Sequence, residues 1–181
     1  MIGTLNREIK ILEKVIEMRV KDNKDVQLLQ TIDGVGPIVA SAFVAAIDNP
    51  NRFKNCRAVP AYFGLTPRQY ASGETQFMGR ISKCGNAYVR SLLFEAATCI
   101  LTRTTMWSKL KAWGLKIQRK HGYRKAAIAV ARKLAIIMYR MLITRESFIH
   151  GEPKQKKEGA SEAPRNTKNQ TGEALALVVN S

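Results

Sequence analysis

A serine beside a glycine, Ser72-Gly73, stands in a segment that also carries Arg68, Arg80, Lys83 and Arg90. Those residue types suit phosphoryl transfer. A serine hydroxyl next to glycine can be open enough to attack phosphorus, and nearby cations hold the phosphate and stabilise the charge that builds on its oxygens. An ordinary turn serine has the same surroundings, and composition alone favours that use. A second place is Gly34-Val35-Gly36, followed by Pro37 and the apolar run Ile38–Ile47. The N-terminus of a helix aims unpaired N–H groups and a positive dipole end at solvent, which makes an anion site. Glycines there allow positive φ and a close approach of backbone to phosphate. Lys24 and Arg52 could reinforce the turn. Such a contact grips nucleic acid by its backbone and reads no sequence. A plain corner between two helices, with Val35 filling an apolar gap, is the other use of the same residues.

The charge balance points the same way. Lys and Arg number 30 against 14 Asp and Glu, for a net +16. From Ala96 to Arg145 there are twelve basic residues, Arg124 and Lys125 among them, and no carboxylate. A solvated helix face normally mixes both signs through i,i+4 pairs. A one-sign surface of this extent suits a polyanion, because each neutralised phosphate releases condensed counterions. Trp107, Trp113 and Tyr123 share the segment and could stack on bases, although core packing is the commoner fate of tryptophan at helical spacing. Other chemistries are disfavoured. Three cysteines without a CxxC pair suit a reduced protein rather than a disulfide framework. His121 and His150 have no cysteine nearby, so no zinc site is expected. Between Val26 and His150 the acids Asp33, Asp48, Glu74, Glu95 and Glu146 are isolated, so no metal-binding cluster is expected. The first 25 residues are charged throughout, unlike a signal peptide, and the run Ile38–Ile47 is too short to span a bilayer. A cytoplasmic, nucleoid-associated protein without membrane contact is expected.

The elements that must position these residues read as helices. Leu5, Ile9, Leu12 and Ile16 form a heptad seam over residues 1–25, either packed on the domain or part of a coiled coil. Val26–Ile32, the Gly-Val-Gly turn and the run from Pro37 have the form of a helix-hairpin-helix, with Pro37 where a helix tolerates it. A helix over Asn55–Phe63 is expected, its last turn weakened by Pro60. Gly64 to Lys83 reads as a long loop, and helices follow from Asn86, over Thr105–Arg119 and over Lys125–Arg145. No strand pattern is evident. The expected fold is all-α: a coiled-coil helix (1–25), a helix-hairpin-helix with a small helical bundle (26–150), and a disordered tail (151–181) of polar, aperiodic composition.

Several runs in this order and spacing resemble one family. They are Gly34-Val-Gly-Pro-Ile-Val-Ala-Ser-Ala, Arg52-Phe-Lys, Ala61-Tyr-Phe-Gly-Leu-Thr-Pro-Arg-Gln-Tyr-Ala-Ser-Gly and Gly79-Arg-Ile-Ser-Lys-Cys-Gly-Asn-Ala-Tyr-Val-Arg90. Together they resemble the C-terminal domain of the insertion-sequence 110 family of bacterial transposases, shared with pilin-gene inversion recombinases, over about residues 5 to 148. The resemblance implies a DNA recombinase acting in transposition, with Ser72 inheriting the role of the serine that bonds to DNA. It further implies double-stranded DNA as partner and a guide RNA in members that use one, while the uncovered seam of the N-terminal helix leads to an expected homo-oligomer. Family members carry an N-terminal RNase-H-like domain whose acidic quartet binds divalent metal. This chain starts inside the coiled coil, so that domain and its Mg²⁺ are expected elsewhere and no cofactor is expected here. Glu74 replaces a glycine common in family loops, and Cys84 an Arg or His. A carboxylate two residues from the serine repels phosphate. The alternative expectation is a basic module without chemistry that binds nucleic acid or represses its parent transposase through mixed oligomers.

Overall fold

The computed structural model describes residues 2–72 and 75–150, with the side chains at 2 and 70–78 outside the described set. The elements run α1 (Ile2–Val20), α2 (Lys24–Gln30), α3 (Pro37–Ile47), a 3-10 turn (Pro50–Arg52), α4 (Ala58–Tyr62), β1 (Pro67–Ser72), β2 (Thr75–Ile81), α5 (Ala87–Thr102), α6 (Lys109–His121) and α7 (Tyr123–Thr144). The protein is mostly α-helical, as its periodicity predicts. The segment expected as a long loop is a correction: it forms an antiparallel hairpin, with Pro67 opposite Ile81 and Ser72 opposite Thr75. The expectation of a disordered tail at 151–181 concerns residues outside the described set.

Helix α7 is the hub. Its buried positions Ala126, Ala127, Val130, Ala131, Leu134, Ala135, Met138, Tyr139, Met141 and Leu142 cover more than one face. Four of these are alanines, α7 packs against α5 and α6 as well as α2 and α4, and Leu134 and Met138 are fully buried. Truncating either to Ala would cost about 2–5 kcal/mol. The Tyr139 hydroxyl donates to the carbonyls of Pro50 at 3.0 Å and Phe53 at 3.3 Å, tying the 3-10 turn to this hub. Arg52 is part of the same join. Its guanidinium lies 4.8 Å from the ring centroids of Phe53 and Tyr62 and donates to the Ala46 carbonyl at the end of α3. It therefore braces the fold rather than the Gly34–Gly36 turn.

Local chemistry sets the helix ends. Asn23 and Asn86 cap α2 and α5 by accepting two backbone N–H groups each. Pro60 falls in the first turn of α4, where its missing N–H would have had no partner, so it starts that helix instead of weakening its end. Of the two packings considered for α1, contact with the domain is seen at its C-terminal end. Ile16 and Val20 pack against the core, while Leu5 and Leu12 are 65% and 61% exposed. After α7 the chain turns back through Arg145 at φ 61. Arg145 pairs with Asp25, the Phe148 N–H donates to Thr31 Oγ1 at 3.1 Å, and His150 meets Asp33 at 3.2 Å. Residues 145–150 thus strap the α2–α3 turn to the start of α6, where Lys109 N donates to the His150 carbonyl.

Candidate nucleic-acid interface

The cations of α6 and α7 are solvent-facing. Of the twelve between Ala96 and Arg145, all but Lys111 are exposed, and among the described residues only Arg145 meets a carboxylate. The Lys111 ammonium turns inward and donates to the Thr104 carbonyl. At the α6–α7 corner, Arg119, Lys120 and His121 end one helix, and Arg124 and Lys125 begin the next across Gly122 at φ 83. The first group complements the negative end of α6. The second opposes the positive end of α7, whose first turn has no acid and no side-chain cap. Helix stability therefore does not account for Arg124 and Lys125, whereas an anion docking at this corner would.

The hairpin is anchored at its base by interlocked backbone. Gly64 and Gly85 have φ +66 and +77; an added Cβ would lie 2.3 Å from the Cys84 carbonyl oxygen on the first and 2.0 Å from that of Tyr62 on the second. Arg90 Nη1 donates to the carbonyls of Phe63 and Cys84, both at 3.2 Å, and holds the two segments together. Arg68 donates to the Ser82 carbonyl across the hairpin at 3.2 Å. Arg80 and Lys83 are exposed. Of the four cations expected around the serine, two thus brace the hairpin and two are open to solvent. Ser72 ends β1; its side chain, Gly73 and Glu74 lie outside the described residues.

The α2–α3 turn divides the work of its residues. Gly34 carries the positive φ, +87, and packs on α5, where an added Cβ would lie 3.0 Å from Ile100 Cγ1. Gly36 has φ −84 and space around it, so the expectation of positive φ belongs to Gly34 alone. Val35 is buried and its N–H donates to the Ile32 carbonyl at 3.0 Å, which leaves it no group for phosphate. That corrects its place among the expected DNA contacts. Gly36 caps α3 without a side chain, leaving the end of that helix open. The turn meets α5 at Ala96 and Ile100, and the hairpin base meets it at Arg90, roughly 9–15 Å away by helix rise. Arg119 and Lys120 join Arg124 and Lys125 at the α6–α7 corner, and the signal for it in the sequence is their shared place in one acid-free run.

Comparison with known proteins decides the family. The description "Transposase IS116/IS110/IS902 family" matches residues 26–112, from the start of α2 into α6. Residues 26–112 belong to this family of transposases. The chain is also similar to a probable family 20 transposase of Pseudomonas aeruginosa, 34% identical over 145 residues, covering 78% of this chain and 42% of that protein. The transposase for insertion sequence element IS1111A of Coxiella burnetii is 33% identical over 147 residues, covering 80% and 40%. The transposase for insertion sequence element IS1328 of Yersinia enterocolitica is 31% identical over 138 residues, covering 76% and 41%. The chain thus spans about two fifths of the length of these relatives. The family match takes in the α2–α3 turn and the hairpin, and the alignments to whole relatives are long enough to reach beyond it. Among the described residues no helix is long and apolar enough to cross a membrane.

Proposed function

We propose that this chain is the DNA-handling, serine-bearing part of an insertion-sequence transposase, working on duplex DNA in the bacterial cytoplasm. The observation that carries the reading is the exposed, acid-free surface of α6 and α7, whose cations have among the described residues no carboxylate partner short of Arg145. Phosphates would supply the missing charge. The open end of α3 at Gly36, with Arg80 and Lys83 on the hairpin, extends the contact. A guide RNA would meet the same phosphate-binding chemistry.

Ser72 is the proposed nucleophile. Its hydroxyl oxygen bonds to a DNA phosphorus, one sugar oxygen leaves with the displaced electron pair, and the serine proton passes to a base. Among the described residues no three His, Cys, Asp or Glu side chains gather to hold a metal ion, and Asp33 is engaged by His150. The described residues do not fit the divalent metal of such transposases, so it would be held by acidic residues elsewhere in the functional assembly. This chain alone is therefore expected neither to cleave nor to join DNA. The test mixes it with element-end DNA and Mg²⁺, with and without a full-length relative, and seeks a covalent adduct on a denaturing gel. An adduct needing both the relative and Ser72 is expected. One formed by the chain alone and lost in Ser72→Ala would make it a self-sufficient enzyme, and one that survives Ser72→Ala would remove Ser72 as nucleophile. No adduct under any condition, with duplex binding intact, would favour the module without chemistry.

The apolar seam of α1 is proposed to join copies of the chain. Leu5, Ile9 and Leu12 are exposed along about two turns, more than a solvated helix needs. Leu12→Lys should lower the mass seen by light scattering toward the monomer. A wild-type chain already monomeric at high concentration would contradict this.

A further inference from the structure

Three aromatic residues lie in the acid-free segment, and the structure separates them. Trp113 is half-buried against the core, with the Lys133 ammonium 4.4 Å from its ring centroid. Tyr123 also packs against the core. Trp107 is 45% exposed, beside Met106 at 55%. It sits in the short connection between α5 and α6, just before the cap residue Ser108. A large side chain at that position commonly staples against the fourth residue of the helix, which here is Ala112. One methyl group cannot cover an indole, so helix capping does not account for Trp107.

The connection is nonetheless well fixed. On one side the Thr104 N–H donates to the Cys99 carbonyl at 3.1 Å, its hydroxyl donates to the Ile100 carbonyl at 2.9 Å, and its own carbonyl accepts from the Lys111 ammonium. On the other side Ser108 is buried and its hydroxyl accepts from Lys111 N at 3.1 Å, while Lys109 N donates to the His150 carbonyl of the strap at 3.2 Å. Residues 105–107 therefore form a short arch held at both ends, and the arch presents an indole to solvent. Arg103 and Lys109 flank it and are exposed.

An aromatic face set among cations binds single-stranded nucleic acid, because bases stack on the ring while the backbone is held by charge. A paired duplex hides its base faces inside the stack and offers none to such a ring. We propose that Trp107 is a stacking platform for an unpaired nucleobase, with Arg103 and Lys109 holding the flanking phosphates. This rests on the nucleic-acid reading above and adds to it a second mode of binding, for the unpaired strand.

The test measures binding of labelled oligothymidine, oligouridine and a blunt duplex to the wild type, Trp107→Ala and Trp107→Phe. Trp107→Ala should weaken single-strand affinity by roughly 5- to 150-fold and leave duplex affinity near wild type. Trp107→Phe should recover most of the loss. Tryptophan emission gives an independent reading: oligothymidine should quench the wild type but not Trp107→Phe, whose remaining indole is Trp113. The tighter of the two single strands names the source, a displaced DNA strand or an RNA. Unchanged single-strand affinity in Trp107→Ala, with duplex binding intact, would overturn the platform alone. A wild-type chain that binds neither form would overturn the nucleic-acid reading with it. If Trp107→Ala keeps its strand affinity but changes the particle mass in light scattering, the indole serves a protein contact and the proposal fails.

Discussion

Gly85→Ala should destabilise the protein by about 3–5 kcal/mol, a large fraction of the roughly 5–15 kcal/mol that holds an ordinary domain folded. The left-handed backbone of Gly85, at φ +77, accounts for roughly 1–2 kcal/mol when a Cβ is added. The rest comes from overlap, because the new atom would stand 2.0 Å from the Tyr62 carbonyl oxygen. Neither side can move cheaply. Arg90 ties Phe63 and Cys84 together through their carbonyls, and the Lys83 N–H donates to the Gly64 carbonyl at 3.1 Å. Denaturant unfolding followed by circular dichroism checks the figure. A variant with wild-type stability would mean that the two segments do not interlock as described. The consequence for function follows from position: the hairpin that carries Ser72 is joined to the helical body through this contact, so loosening it misplaces the serine.

Replacing Arg119, Lys120, Arg124 and Lys125 together by Gln should weaken duplex binding by roughly 10²- to 10³-fold at about 0.1 M salt. The figure follows from counterion release, in which each lost phosphate contact removes about 0.9 from the slope of log K against log salt. At that salt this is about eightfold per contact, and two to three productive contacts give the stated range. All four side chains are exposed and none has a carboxylate partner among the described residues, so the folded state should lose little. Helicity and unfolding midpoint should stay near wild type, and the salt slope should become shallower by roughly 2–3. Unchanged affinity in a folded variant would move the interface away from this corner.

Much of this was readable from residue types and spacing, because the helices advertise themselves. In α7 the apolar residues recur at helical spacing, and in α5 the buried Val89, Leu92, Leu93, Ala96 and Ala97 do the same. The hairpin did not show itself. Its strands hold Arg68, Gln69 and Arg80 among apolar residues, Pro67 and Gly79 interrupt them, and the register has an irregularity between Pro67 and Gln69. Without an alternating apolar face there is no period of two to find. The two-residue link between Ser72 and Thr75, beginning with glycine, was the available signal. The glycine pair of the α2–α3 turn shows another limit. A Gly-x-Gly run is the same read from either end, and only contact with Ile100 on α5 assigns the positive φ to Gly34. Arg90 reads as one more cation until the chain brings Phe63 and Cys84 beside it. Residues far apart in the chain set that role.

The most direct test of the central claim is a salt titration of the wild-type chain against duplex DNA. If the surface of α6 and α7 neutralises roughly four to eight phosphates, log K should fall with log salt at a slope of about −4 to −8. An affinity that does not change with salt, or no binding at low salt, would contradict the account.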